Sequence, residues 1–152
     1  MNLELLKTIV ELGEKIGHLF IATSDRHGEP HVGVAGKISL EGEECISITS
    51  WFCPGTLENL NENPHISIVV WESEEDIGYQ LIGVSQRIKE VAMLNGFSSD
   101  MEKRKPIPQI ERSIIIKVKK VIDFSHAPHS DIKYPLKPSQ LRHFTSSVNN
   151  VD

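Results

Sequence analysis

Strand-like runs separated by turns of only a few residues limit this chain more than any other feature. "HLFIATS" is followed by the turn "DRHGEP", then by "HVGVAGKISL", the tight turn "EGEE" and "CISITSWF". The last run alternates, with Ile46, Ile48 and Ser50 on one face and Ser47, Thr49 and Trp51 on the other. Connections this short join neighbouring antiparallel strands, so the three runs form a meander. "HISIVVW" is almost continuously β-branched and reads as a strand buried on both faces. "YQLIGVSQRIKEVAML" is a long strand interrupted at Gly83, a bulge or a point of close approach. "RSIIIKVKKVIDFS" closes the series. The expected architecture is mainly β: a six-stranded antiparallel barrel with a few short helices. Little chain is left to cover the edges of an open sheet, which favours closure.

The remainder of the chain supports that frame. Leu3, Leu6, Ile9, Val10, Gly13 and Ile16 recur at helical spacing, so an amphipathic helix opens at Asn2 and closes near Gly17. The segment from Asn95 to Glu111 is polar and carries Pro106 and Pro108; a short helix followed by a loop is expected there. The proline-bearing tail from His126 has no clear period and reads as an arm, residues 126–152, after a domain spanning 1–125. With 152 residues there is room for one domain with a real core. A net charge of -5 gives no basic footprint for nucleic acid. Cys45 and Cys53 form no CxxC pair and read as reduced cysteines of a cytoplasmic protein. Neither a secretory signal nor a membrane-spanning apolar run is expected.

Function is most legible in "SWFCPGTLENLNENPH", Ser50 to His65. A strand ends, Pro54 blocks the ladder, Gly55 lets another group approach the backbone, and Thr56 reads as the N-cap of a short helix stopped by Asn63-Pro64. Leu57 and Leu60 turn inward, with Asn59 near the helix start. Bare N–H groups at such an end, with their partial positive charge, suit a phosphate. The same spacing also fits a plain connector helix behind a turn. His27 and His31 lie four apart across a turn, and His126 and His129 sit in the tail, but no Cys or acidic set completes a shell, so no metal is expected. "ESEEDIG" reads as a solvated acidic loop, and Trp51 as a packing residue rather than a ring-stacking one.

These stretches together resemble the FMN-binding split β-barrel family, related to pyridoxamine 5'-phosphate oxidase. "LFIATSDRHGEPHV" is similar to its first hairpin, with the turn at Gly28 and Pro30. "ISITSWFCPGTLENLNENPHISIVV" is similar to its strand, phosphate loop, helix and following strand, and "LIGVSQRI" to the strand with a central glycine. The resemblance implies FMN with its phosphate at Gly55 and Thr56, near Asn59. It implies an isoalloxazine ring against Val34, Ala35, Gly36 and Lys37 and against Ile48, Thr49 and Ser50, at a homodimer interface. It further implies an oxidoreductase acting on a small molecule, with an electron donor such as NAD(P)H and no assigned catalytic side chain.

The chain departs from the family where many relatives carry Ser-x-Lys: Pro54-Gly55-Thr56 holds no cation. Lys37, Arg87, a partner-subunit residue, or Lys119 or Lys120 across a dimer would then supply charge. The gap leaves room for a deazaflavin or haem, for a non-catalytic module holding such a ligand, and for a barrel interaction protein without cofactor. The Arg-rich C-terminal segment of true pyridoxamine phosphate oxidases is not evident.

Overall fold

The computed structural model describes residues 2–93, 110–129 and 131. Helix α1 (Leu3–Ile16) begins where the Asn2 side chain accepts a hydrogen bond from the Glu4 amide at 3.0 Å, and it ends at Gly17, which adopts φ 84°. Its inner face carries Leu6, Ile9, Val10 and Gly13. A Cβ on Gly13 would lie 2.6 Å from Ile38 Cγ2, so the helix backbone rests directly on the sheet.

Seven strands follow: β1 (Leu19–Ser24), β2 (Pro30–Ala35), β3 (Lys37–Leu40), β4 (Cys45–Ser50), β5 (His65–Glu72), β6 (Ile77–Met93) and β7 (Ile110–Asp123). Helix α2 (Pro54–Glu62) lies between β4 and β5. The sheet order is β2-β1-β5-β6-β7-β4-β3, and every pairing is antiparallel. The mainly β, antiparallel split barrel expected from the sequence is present, with seven strands in place of six. The difference arises at Gly36. Up to Ala35 the chain pairs with β1 (Leu19 opposite Ala35), and from Lys37 it pairs with β4 (Lys37 opposite Thr49). One expected strand is thus two, lying at opposite edges of the sheet. A single residue joins those edges, so the sheet curls round without closing.

The concave side holds the core. Ile21, Ile48, Ile68, Leu81, Ile114 and Ile116 are almost completely buried there, each stabilising the fold by about 1.5–3 kcal/mol. Helix α1 covers β3 and β5, while α2 packs on β1 and β2. β5 departs from expectation: Ile66, Ile68 and Val70 are buried, but Ser67, Val69 and Trp71 on the other face are only half-buried. Its β-branched run reflects a strand between two neighbours in a one-sided sheet, not one covered on both faces. Gly83 matches expectation. The β6–β7 register shifts between Ile82 and Gly83, and a Cβ at Gly83 would lie 2.5 Å from the Lys117 carbonyl oxygen.

The acidic turn after β5 is more than solvated loop. Asp76, at φ 54°, accepts hydrogen bonds from Trp71 Nε1 (2.9 Å), the His126 amide (2.7 Å) and the Ala127 amide (2.8 Å). It therefore ties the chain leaving β7 to the β5–β6 turn. Those backbone donors, first His126 and then Ala127, with the Trp71 indole after them, lower its pKa from 3.8 to about 2. A lowered folded-state pKa stabilises the fold above the unfolded value and is lost as pH falls through the folded one. Asp76→Asn is therefore expected to melt below the native chain near neutrality, and the gap should narrow as pH drops from 3.8 towards 2. Thermal melts across that range check it; a pH-independent gap would contradict the ionic part of the tie.

The helix and loop expected over 95–111 lie outside the described residues except for Ile110 and Glu111, which belong to β7. So does the arm 126–152 beyond residues 126–129 and 131. Among the described residues, no helix is long and apolar enough to cross a membrane.

Candidate cofactor cradle

At the start of α2 the structure corrects one local assignment. Cys53, not Thr56, is the N-cap, and Pro54 takes the first helical position, where its fixed φ is already helical and its missing N–H costs nothing. The helix thus starts earlier than the Thr56 signal indicated. Thr56 becomes the third helical residue and points inward, only 1% exposed. Its amide donates to the Cys53 carbonyl at 3.1 Å. No side chain caps this end and the first turn carries no acidic residue. Among the described residues the Gly55 amide meets no acceptor. The N-terminus of α2 therefore lacks a side-chain cap, and the Gly55 amide is its free donor, because the Thr56 and Leu57 amides turn back to the Cys53 carbonyl.

What stands beside it is His31, from β2. Its Nδ1 lies 3.4 Å from Thr56 Oγ1 and its Nε2 lies 3.8 Å from Cys53 Sγ. A Cβ on Gly55 would come within 3.1 Å of the same Nε2, so the imidazole lies against the first turn of the helix. In sequence His31 lies four residues from His27 across a turn. The structure separates them, since His27 Nε2 accepts instead from Arg26 Nε at 3.2 Å. Among the described residues no three His, Cys, Asp or Glu side chains converge as a metal site. The helix-facing role of His31 is invisible locally, because it depends on β2 passing beneath α2. Gly33 marks the crossing: a Cβ there would touch Thr56 Oγ1 at 3.4 Å and Cys53 Sγ at 3.6 Å.

From Gly33, β2 runs on to the Gly36 corner, about 10 Å in extended chain. Lys37 and Thr49 sit opposite each other there, and Ser50 lies opposite Arg112 of β7. A methyl at Gly36 would meet only the Thr49 carbonyl, at an ordinary 3.5 Å, so packing within the chain does not demand glycine. Gly36, Lys37, Thr49 and Ser50 thus come together at the corner, while Gly55 and Thr56 stand beside the earlier part of β2, at His31 and Gly33. Ala35 and Ile48 point into the core and offer only backbone. Val34 points outward, 61% exposed. Asn59 stands further along α2, where its amide donates to Thr23 Oγ1 at 3.2 Å.

Cations near these positions are sparse among the described residues. Among the described residues Lys37 and Arg87 form no ion pair, and Arg112 has only a long contact to Glu90 at 3.9 Å. Arg87 and Arg112 line a groove of about 590 Å³ along the flank of α2, beside Leu57 and Asn61. Arg112 was missed because only the β4–β7 register brings it opposite Ser50. On the convex side Val34, Phe20 and Val69 stand in one register row. Phe20 and Val69 continue into an apolar groove with Trp71 and Phe124.

The start of α2 thus offers the Gly55 amide and the His31 imidazole, and the Gly36 corner offers strand backbone beside Lys37. Comparison with known proteins agrees with the fold. The family model for pyridoxamine 5'-phosphate oxidase matches residues 5–123. No curated protein matches the sequence. Among solved structures, a general stress protein 26-related protein of the pyridoxinephosphate oxidase family from Clostridium acetobutylicum superposes with TM-score 0.59 at 14% identity, covering 90% of this chain and 97% of that one. HupZ of Group A Streptococcus gives TM-score 0.57 at 17% identity, over 82% and 97%. An FMN-binding protein from Syntrophomonas wolfei subsp. wolfei gives 0.55 at 20% identity, over 82% and 89%. With the open seven-stranded sheet, the Gly36 corner and the α2 junction all lying within the matched span, the chain belongs to the pyridoxamine 5'-phosphate oxidase family of FMN-binding split barrels.

Proposed function

We propose that this protein is a homodimeric flavoprotein that binds FMN non-covalently and acts as an oxidoreductase on a small molecule, with NAD(P)H as electron donor. The carrying observation is the uncapped α2 N-terminus with His31 laid against it, one β2 segment away from the Gly36 corner. The Gly55 amide and His31 would hold the phosphate, which answers the missing loop lysine. Backbone of Val34–Lys37 and Ile48–Ser50 would seat the ring, using the space that Gly36 leaves. The Lys37 ammonium would stabilise negative charge on the ring's N1/O2 side. The isoalloxazine, when bound, supplies the redox chemistry. A second copy would cover the exposed row of Val34 and Phe20, excluding water from the ring.

The cation-free loop favours one further reading. Solved relatives are named for FMN, for F420 reduction and for haem storage, and a deazaflavin or haem would place less demand on a phosphate site. That reading includes a carrier without catalysis. One experiment separates them: the visible spectrum of the purified protein, with mass identification of any bound ligand, followed by NADPH addition. A band at about 450 nm that bleaches with NADPH supports the proposal. A Soret band transfers it to haem. Protein that stays colourless after FMN addition rejects it. Light scattering should give twice the chain mass for the native protein and the single-chain mass for Val34→Lys.

A further inference from the structure

The cradle contains a nucleophile that flavin binding does not use. Cys53 Sγ lies 3.8 Å from His31 Nε2 and 3.2 Å from Thr56 Oγ1, and His31 Nδ1 lies 3.4 Å from the same hydroxyl. A thiol, an imidazole able to take its proton, and a third group engaging the other ring nitrogen make the arrangement of an activated nucleophile. Cys53 is the N-cap of α2, and no acidic residue sits in the first turn beside it. Both Cys53 and His31 are partly exposed, while Thr56 beneath them is buried, so the sulfur is supported from below and open to solvent.

We propose that Cys53 is a peroxide-reactive thiol with His31 as its base. His31 Nε2 accepts the thiol proton and the sulfur attacks the nearer oxygen of a hydroperoxide. The S–O bond forms as the O–O bond breaks, and the departing hydroxide or alkoxide takes the proton back from the imidazolium. Cysteine is oxidised to sulfenic acid while the hydroperoxide is reduced to water or alcohol. Two molecules of an external thiol restore the cysteine: the first displaces water from the sulfenic acid to give a mixed disulfide, and the second releases the cysteine and leaves the symmetric disulfide of that thiol. The assignment rests on the three side chains alone; a phosphate held by His31 would cover the thiol, so the test is made on cofactor-free protein.

Cys45 provides the internal control. It is also free and partly exposed, but it lies within β4, and among the described residues no histidine hydrogen-bonds to it. The test exposes the purified protein to hydrogen peroxide, traps sulfenic acid with dimedone and follows both cysteines by peptide mass mapping. Cys53 should react at least about tenfold faster than Cys45, the scale expected when a thiol is activated in its site. His31→Gln should bring Cys53 down to the Cys45 rate while leaving Cys45 unchanged, which also reports that the fold is intact. If His31→Gln raises the Cys45 rate, the near-isosteric Thr56→Val replaces it and should slow Cys53 at least about threefold. Equal rates for the two cysteines in the native chain would overturn the proposal. So would a Cys53 rate insensitive to the intact variant.

Discussion

Gly55→Asp is expected to lower FMN affinity at least about a hundredfold while leaving the melting temperature almost unchanged. The new carboxylate would stand in the first turn of α2 beside His31. At about 5 Å from a phosphate and an effective dielectric of about 20, each pair of unit charges repels by roughly 3 kcal/mol. The same carboxylate faces the positive end of the helix and stabilises it by about 0.3–1 kcal/mol, so the fold should not suffer. Contact with the imidazole at 3.1 Å is relieved by a side-chain shift. Gly55→Asn separates charge from size, because it adds the same bulk without the anion and should retain most of the binding. Fluorescence titration with FMN reads both. Equal affinities for the Asp and Asn variants would place the phosphate somewhere else. Thr56 is the wrong position for such a charge: its side chain is buried, and a glutamate there would test folding rather than binding.

Gly83→Ala is expected to have the largest effect on stability among the glycine substitutions considered. The added methyl would lie 2.5 Å from the Lys117 carbonyl oxygen and 2.8 Å from Ile116 Cγ2. The first is backbone of β7 and cannot rotate away, so the β6–β7 ladder must part at its bulge. Overpacking of this kind costs about 2–3 kcal/mol, only partly offset by the lower entropy of alanine in the unfolded chain. For a domain of this size that is a fall of roughly 5–10 °C in Tm. Gly36→Ala is the contrast: its methyl would make one ordinary contact at 3.5 Å, and its Tm should match the native chain. A native-like melt for Gly83→Ala would show that the ladder yields more readily than its geometry indicates.

Strand existence and the α2 junction were readable because they rest on local chemistry. Alternation marked β4, the proline and glycine marked the break before α2, and Gly83 marked the bulge. What was not readable depended on partners distant in sequence. Nothing in "VGVAGKIS" says that pairing passes from β1 to β4 at Gly36, since the alternation runs through the corner unbroken. His31 and Arg112 reach the cradle only through the β2–α2 crossing and the β4–β7 register. Asp76 looked like one more acid in a charged loop, because its partners lie fifty residues onward at His126 and Ala127. Cys53 displaced Thr56 as the cap because Pro54 could begin the helix, a possibility the Thr56 signal concealed.

The place of β7 in the sheet bears on how the protein comes into being. Strand β7, the last among the described residues, sits between β6 and β4, third from one edge. Until it emerges, the β3–β4 hairpin has no sheet to join, and the Gly36 hinge holds it to the rest by one residue. A nascent chain halted before residue 110 would therefore present open strand edges to its surroundings. The native sheet must await β7, a slow, non-local order of assembly in which chaperones would find their substrate.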